Sequence, residues 1–401
     1  MTRAPANLTV LQGGGPTPVL NASLFAVIDE ALHQPSIDRI LGARFGVEGL
    51  LKGDFLDLSA IPQTELQKLR TTPGASLGTT RHKLSDSDLD RVLATLKTHN
   101  IRHLLLIGGN GSLRAADLIA QAAARANYDL HVIGVPKTID NDIPATDRCP
   151  GYASAARYVA QAVRDLGMDV RSLPQPVSIF ETMGRSVGWL AAASVLGRID
   201  ESHSPHLIYL PERPLDIDSF LADIDRTVTR RGWAVAVLTE GARDAAGRAI
   251  YETAEPTQLD PLNRPVPGGV SSFLANTVTQ HLKLRCRWEK PGICGRNSIL
   301  HVSPQDRADA ELVGRAAVRA AVQGHLAHFV SLRPLAAEPA YDIIPLSQTT
   351  GERPFPADWT APSPQGPVTD DFLNYVRPLI GDLVDYAVPL KDQFAIASLL
   401  K

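Results

Sequence analysis

The chain has 401 residues, more than one hydrophobic core usually serves, so two closely associated lobes are expected. Its 40 basic and 43 acidic residues nearly cancel, which excludes a generally basic nucleic-acid surface and leaves room only for a local cationic pocket. Cys149, Cys286 and Cys294 form no CxxC pair and no disulfide framework, as suits a reducing compartment. No leader-like or membrane-spanning apolar run is found, so a cytoplasmic protein without membrane or nucleic-acid partners is expected.

Short apolar runs alternate with segments of helical period. LTVL at 8–11 predicts a buried strand, Gly13-Gly14-Gly15 turns the chain, and 23–32 predicts a helix. HLLLI at 103–107 predicts a strand, followed by GGNGS and a helix over 112–126. HVIGV at 131–135 leads through PKTIDND to a helix over 154–166. VSIFE at 177–181 precedes a helical stretch, MGRSVGWLAAASVLG, and the strands HLIYL and WAVAVLTEG flank a helix over 217–231. This order predicts an α/β fold with two Rossmann-like lobes, their parallel sheets flanked by helices. The expected division is 1–150, 151–300 and a C-terminal part, 301–401, that returns over both lobes. Residues 243–268 read as an irregular surface zone, and 333–368, with eight prolines, as an extended wrapping segment.

Ligands in such sheets bind outside the carboxyl ends of the strands, where the loops just named lie. Three glycines after a strand serve either a tight turn or a phosphate cradle, but the GKS of a P-loop and the GxGxxG spacing are both absent. The second loop, Gly108-Gly109-Asn110-Gly111-Ser112, strengthens the cradle reading. Asn110 would hold a metal-bound water or phosphate oxygen, or close an Asx turn. The third loop, Pro136 to Asp142, combines a lysine that neutralises phosphate with two aspartates. One carboxylate can accept a hydroxyl proton while the other faces Mg²⁺, as phosphoryl transfer requires.

PKTIDND, GGNGS and ETMGRSVGWLAAAS together resemble the phosphofructokinase superfamily, particularly its pyrophosphate-dependent and mixed-donor branch. The resemblance extends through LQGGGPTPVLNASL, FGVEGL, TTPGASLGTTRHKL, TDRCPGYASAARY, LTEGA, PGICGR and DDFLNYVRPLIG. It implies the phosphofructokinase fold, with the donor bound by residues 1–150 and the sugar phosphate by 151–300. It makes Asp140 the base at the sugar hydroxyl, assisted by Thr138, Lys137 and Arg185. Gly14, Gly15, Arg81, Gly109, Asn110, Gly111 and Ser112 would line the donor site. Thr138, Ile139, Asp140, Met183, Gly184, Arg185, Glu240 and Arg296 would form the acceptor site, with Arg296 on the acceptor phosphate, often across a subunit boundary. Asp142 and Asn110 would attend Mg²⁺, and a homodimer or homotetramer is implied.

Three positions depart from the family pattern: Asn110 replaces an aspartate, Gly295 a glutamine, and Pro176 an arginine before the VSIFE strand. The implied reaction is that of a 6-phosphofructokinase, from ATP to the 1-hydroxyl of fructose 6-phosphate. Gly111 leaves space for the α-phosphate of ATP; pyrophosphate is the alternative donor, and Gly295 with Pro176 keep a different sugar phosphate open as acceptor. A silent sugar-phosphate-binding paralogue is opposed by the intact Asp140, Asp142, Arg185 and Glu240. A nicotinamide dehydrogenase fails for want of its glycine fingerprint.

Overall fold

The computed structural model describes residues 5–174, 176–250, 269–387 and 389. Along the chain run strands β1 (Ala6–Gln12), β2 (Ile37–Ala43), β3 (Phe55–Asp57), β4 (Ile101–Gly108), β5 (His131–Pro136) and β6 (Pro176–Thr182). Then follow β7 (Leu207–Tyr209), β8 (Ala234–Thr239), β9 (Arg285–Glu289), β10 (Ala327–Leu332) and β11 (Tyr341–Pro345). Helices α1 (Leu20–Ala31), α2 (Val47–Lys52), α3 (Gln63–Leu69), α4 (Asp86–Thr98), α5 (Asn110–Arg125) and α6 (Tyr152–Arg171) alternate with them. So do α7 (Trp189–Ala193), α8 (Ile217–Arg231), α9 (Val270–Leu282), α10 (Ile293–Arg296), α11 (Pro304–Val322) and α12 (Asp370–Ile380).

The first sheet has the order β11-β10-β5-β4-β1-β2-β3 and the second β7-β8-β6-β9. Side chains alternate across the first sheet: Leu105 and Ile107 join one apolar core while Leu104 and Leu106 join the other. In the second sheet Val235 and Val237 face one core, and Ala234, Ala236 and Leu238 the opposite one. Helix α11 crosses α1 so closely that a Cβ on Gly314 would lie 2.5 Å from the Ser23 carbonyl oxygen. No described helix is long and apolar enough to cross a membrane.

Register decides where the loops emerge. Gln12 stands beside Ile107, and Gly108 beside Pro136, so β1, β4 and β5 end together. In the second sheet Thr182 pairs with Thr239 and Phe180 with Glu289. Each sheet therefore delivers three successive loops to one edge, as parallel strands must.

The structure corrects the expected elements in four places. The first sheet is not wholly parallel, because the edge strands β3 and β11 run antiparallel to β2 and β10. The helix expected to start at Ser112 starts at Asn110. The stretch 183–188 is a loop: Gly184 has φ 126° and Arg185 φ 44°, and helix begins only at Trp189. The proline-rich 333–368 holds β11 and a hairpin, Thr360–Ser363 with Gly366–Val368, whose Pro364 carbonyl accepts from Ile208 N of β7. That segment thus runs from the edge of one sheet to the other. Of the irregular zone expected at 243–268, residues 251–268 lie outside the described residues.

Behind the PKTIDND loop a buried ion pair ties the chain together. Arg148 Nε and Nη2 donate to the two carboxylate oxygens of Asp309, at 2.7 and 2.8 Å, and both side chains are only 4% exposed. Removing Asp309 leaves the buried guanidinium with only Asp147, 3.4 Å from Nη1, so Asp309→Ala should destabilise the protein by about 3 kcal/mol. A urea denaturation series measures this; a loss below about 1 kcal/mol would show that water or rearrangement replaces the pair.

Candidate active site

The three loops of the first sheet interlock. A Cβ on Gly13 or Gly108 would lie 2.2 Å from Ser112 Oγ, so the loops after β1 and β4 pack around that hydroxyl. Ser112, expected on the donor, thus directs its hydroxyl into the packing of the glycines. Gly14 has φ 74°, and Gly15 lies under Arg296, whose Nη1 would be 2.8 Å from a Cβ there. Gly109 backs onto the third loop, with Lys137 O 3.3 Å from the position of a Cβ. Gly111 is exposed, and a Cβ on it would meet nothing within 4 Å.

The third loop is held rigidly. Lys137, buried, donates from Nζ to Gly15 O at 2.9 Å, and burial and the neighbouring Arg296 push its ammonium down to about 8. Asp140 N donates to Thr138 Oγ1 at 3.1 Å. Ile139 is buried in an apolar core. Asn141 takes φ 56°, a conformation asparagine tolerates, and its side chain accepts from Cys149 N at 3.0 Å and donates to Tyr375 Oη at 2.9 Å.

This arrangement raises the Asp140 carboxyl to about 7. Desolvation is the main cause; Asp142 and Glu240 add repulsion, opposed by Arg185 and Lys137. Asp142 is also shifted upward by burial. Its Oδ2 accepts from Asn110 Nδ2 at 2.7 Å. The remaining oxygens, Asn110 Oδ1 and Asp142 Oδ1, are buried without hydrogen-bond partners. Two orphaned hard oxygen donors, one carboxylate and one amide, are of the kind that Mg²⁺ takes.

The second sheet supplies the facing wall. Met183 packs half-buried on the core, Gly184 makes the turn, and Arg185 reaches solvent at its tip. Thr239 Oγ1 donates to Arg185 O at 3.2 Å, and a Cβ on Gly241 would come within 1.9 Å of that oxygen. Only glycine at 241 lets the two loops meet. Glu240 is buried and its carboxyl raised by desolvation and by Glu181, against the pull of Lys290, Arg185 and Arg296. From the end of α10, Arg296 enters over Gly15. Its Nε is buried without a partner, and burial and the nearby Arg81 lower its pKa. Arg296 thus repels both Arg81 and Lys137, with Asp140 and Glu240 opposing, a concentration of cations suited to a phosphate.

Two of the departures acquire physical accounts. At Gly295 a Cβ would lie 2.8 Å from the ring of Tyr158, so that ring occupies the space of a larger side chain. Pro176 is buried at the amino end of β6, six residues from Thr182, or roughly 20 Å at strand rise. A side chain there does not face the site of its own chain.

The family profile described as phosphofructokinase matches residues 7–321. The chain is 40% identical over 326 residues to a pyrophosphate–fructose 6-phosphate 1-phosphotransferase of Xanthomonas campestris, covering 79% of this chain and 77% of that protein. It is 35% identical over 392 residues to the protein of the same name from Rhodospirillum rubrum, covering 96% of each. The crystal structure of a pyrophosphate-dependent phosphofructokinase from Marinobacter aquaeolei superposes with a TM-score of 0.84 at 31% identity, covering 96% of this chain and 94% of that one. The chain belongs to the phosphofructokinase family. It is accordingly an enzyme, a phosphotransferase with an alcohol group as acceptor.

In this member of the family the motif residues Asp140, Arg185, Glu240 and Arg296 form one electrostatic neighbourhood within a single chain. Sequence reasoning missed Glu181 and Lys290. Glu181, 1% exposed, accepts from Ser271 N at 2.9 Å and Ser271 Oγ at 2.8 Å, and lies 3.2 Å from Lys290 Nζ. A carboxylate ending an apolar strand was the available signal, because a buried charge demands partners.

The shift at Asp140 has a direct test. Burial and neighbouring carboxylates favour its neutral form, so in metal-free protein it should hold its proton until about pH 7 and lose it above. The difference infrared spectrum between wild type and Asp140→Asn isolates its C=O stretch. A midpoint near 7 is expected; one near the ordinary value of about 4 would show a solvated carboxylate and a different site geometry.

Proposed function

We propose that this phosphofructokinase transfers a phosphoryl group from ATP to the 1-hydroxyl of fructose 6-phosphate, giving fructose 1,6-bisphosphate. The observation that carries the reading is the loop of Asp140, held by Thr138 Oγ1 and by Lys137 on Gly15 O beneath Arg296, with Arg185 and Glu240 in the same charge neighbourhood and the Asp140 carboxyl shifted upward by desolvation. A general base is most useful when its pKa lies near the working pH. Asp140 takes the hydroxyl proton as the sugar oxygen attacks the terminal phosphorus, the bond to the ADP oxygen breaks, and the proton later passes to solvent. Positioning and charge neutralisation supply most of the rate in such transfers.

Each remaining residue has a task set by its place. Arg296, with an orphaned Nε, binds the acceptor phosphate, and Glu240 accepts from sugar hydroxyls. The loop amides after Gly13, with Lys137 beneath them, meet the donor phosphates. Arg185 neutralises the phosphoryl group in transit. Asp142 and Asn110 would hold Mg²⁺ through their unpartnered oxygens. That ion supplies charge neutralisation on the donor phosphates. A cytoplasmic setting agrees with three cysteines that form no disulfide.

Donor choice rests on Gly111. The open space at its Cβ position admits the α-phosphate of a nucleotide. A second reading, pyrophosphate as donor, is favoured by the names of the Xanthomonas and Rhodospirillum relatives. Purified protein assayed with ATP and pyrophosphate in parallel, against fructose 6-phosphate and other sugar phosphates, decides both donor and acceptor. Turnover with pyrophosphate alone would reverse the donor assignment, and preference for another acceptor would overturn fructose 6-phosphate.

Gly111→Asp probes the same position. Gly111 has no positive φ and no neighbour within 4 Å, so aspartate fits without strain. A carboxylate there repels the α-phosphate by about 4 kcal/mol at ~4 Å and an effective dielectric near 20, before screening. The ratio of kcat/KM for ATP to that for pyrophosphate should therefore fall by at least tenfold. An unchanged ratio would mean that Gly111 does not gate the donor.

A further inference from the structure

The proline-rich segment that runs from β11 to the hairpin passes between the two catalytic loops, and one residue of it grips the PKTIDND loop. Arg353 Nε and Nη2 donate to Asn141 O at 3.1 and 2.9 Å. Its Nη1 donates to Thr146 O at 2.6 Å and to Asp147 O at 2.8 Å, and its backbone N to Asp142 O at 2.7 Å. The guanidinium lies over the ring of Trp189, 4.5 Å from the centroid, and Trp189 Nε1 donates to Arg353 O at 3.4 Å. Trp189 is 1% exposed and opens α7, directly after the loop that carries Arg185.

The neighbours of Arg353 grip that second loop. Glu352 Oε2 accepts from Ser186 Oγ at 2.9 Å, one residue after Arg185. Phe355 N donates to Glu212 Oε1 at 3.0 Å, and the same oxygen accepts from Gly188 N at 2.8 Å. The segment thus holds the loop of Asp140 and Asp142 with one residue and the loop of Arg185 with its neighbours. A fork that binds three carbonyls at once fixes the orientation of a turn, which a point cation cannot do. The carbonyl of Asn141 is the pivot, because it lies between the two aspartates and its own residue holds φ 56°.

We infer that Arg353 is a positioning residue for phosphoryl transfer: its guanidinium fixes the 141–147 turn, and with it the Asp140–Asp142 pair, against the Trp189 end of the Arg185 loop. The inference rests on the reading of Asp140 as the base. Arg353 binds neither substrate, so its loss should act on turnover and not on acceptor affinity.

The test uses full-length Arg353→Lys and Arg353→Ala, with melting temperature and circular dichroism to establish folding. Lysine keeps a cation over Trp189 but cannot bridge three carbonyls. Displacing a reacting group by about 1 Å costs on the order of 10²-fold, so kcat should fall by about that factor in Arg353→Lys. The acceptor KM should stay within about threefold. Guanidinium chloride at low millimolar concentration should restore part of the kcat of Arg353→Ala, where equal ammonium chloride should not. A folded variant with wild-type kcat, or a loss matched by the unfolded fraction, would overturn the inference. If Arg353→Ala fails to fold, Tyr375→Phe stands in. It removes only the hydroxyl that donates to Asp147 O and accepts from Asn141 Nδ2, and should lower kcat severalfold at unchanged acceptor KM. An unaltered kcat there would count against the turn as the controlling element. Wild-type protein inactive with every donor and acceptor would refute the functional reading instead. Amide exchange over 139–147 then judges Arg353 alone, faster exchange in Arg353→Lys supporting it and unchanged exchange refuting it.

Discussion

Asp140 is surrounded by Asp142 and Glu240, two carboxylates that would repel its negative charge, and by Lys137, Arg185 and Arg296, three cations that would attract it. Desolvation decides between them and leaves the carboxyl raised. Much of the local architecture follows from keeping this balance. Glu240 is buried where Lys290 and the arginines offset it, and Lys137 is tethered to Gly15 so that its charge stays under the glycine loop.

The two sheets contribute differently to that balance. The first brings backbone: three interlocked loops with Ser112 packed between Gly13 and Gly108, offering amides and a narrow floor. The second brings long charged side chains on loops whose backbones are held by Thr239, Gly241 and Glu212. A fixed cradle suits the donor, whose phosphates repeat one geometry. In the proposed reaction an acceptor with a ring and several hydroxyls needs separately placed groups, and Glu240 and Arg185 come from two loops and Arg296 from the end of α10. Arg296 joins the halves, since its tip rests on Gly15 while its charge acts on Glu240.

Those parts were legible in the sequence wherever the chemistry is contiguous. The buried strands LTVL, HLLLI and HVIGV announce themselves by apolar runs, and the glycine and TIDND loops follow them directly in the chain. Where the sequence misleads, longer-range packing overrides local pattern. MGRSVG has helical composition, but the carbonyl of Arg185 must meet Thr239 and Gly241, which bends the backbone to positive φ. Glu181 lies in β6 and Lys290 directly after β9, and they meet because β6 and β9 pair. Arg353 is 212 residues from Asn141, inside a proline-rich stretch that reads as wrapping. No local signal marks a guanidinium whose hydrogen bonds all go to backbone carbonyls. Pro176 opens β6, and the strand's own length separates it from the loop that follows Thr182 in the same chain.

Asp140→Asn measures the role of Asp140 most directly. The amide keeps the size of the side chain and cannot accept the hydroxyl proton. With the variant shown to be folded, kcat at saturating donor and acceptor should fall by about 10²- to 10⁴-fold. Acceptor affinity by calorimetry should change no more than severalfold. A folded Asp140→Asn enzyme that turns over at the wild-type rate would contradict the assignment of Asp140 as the base.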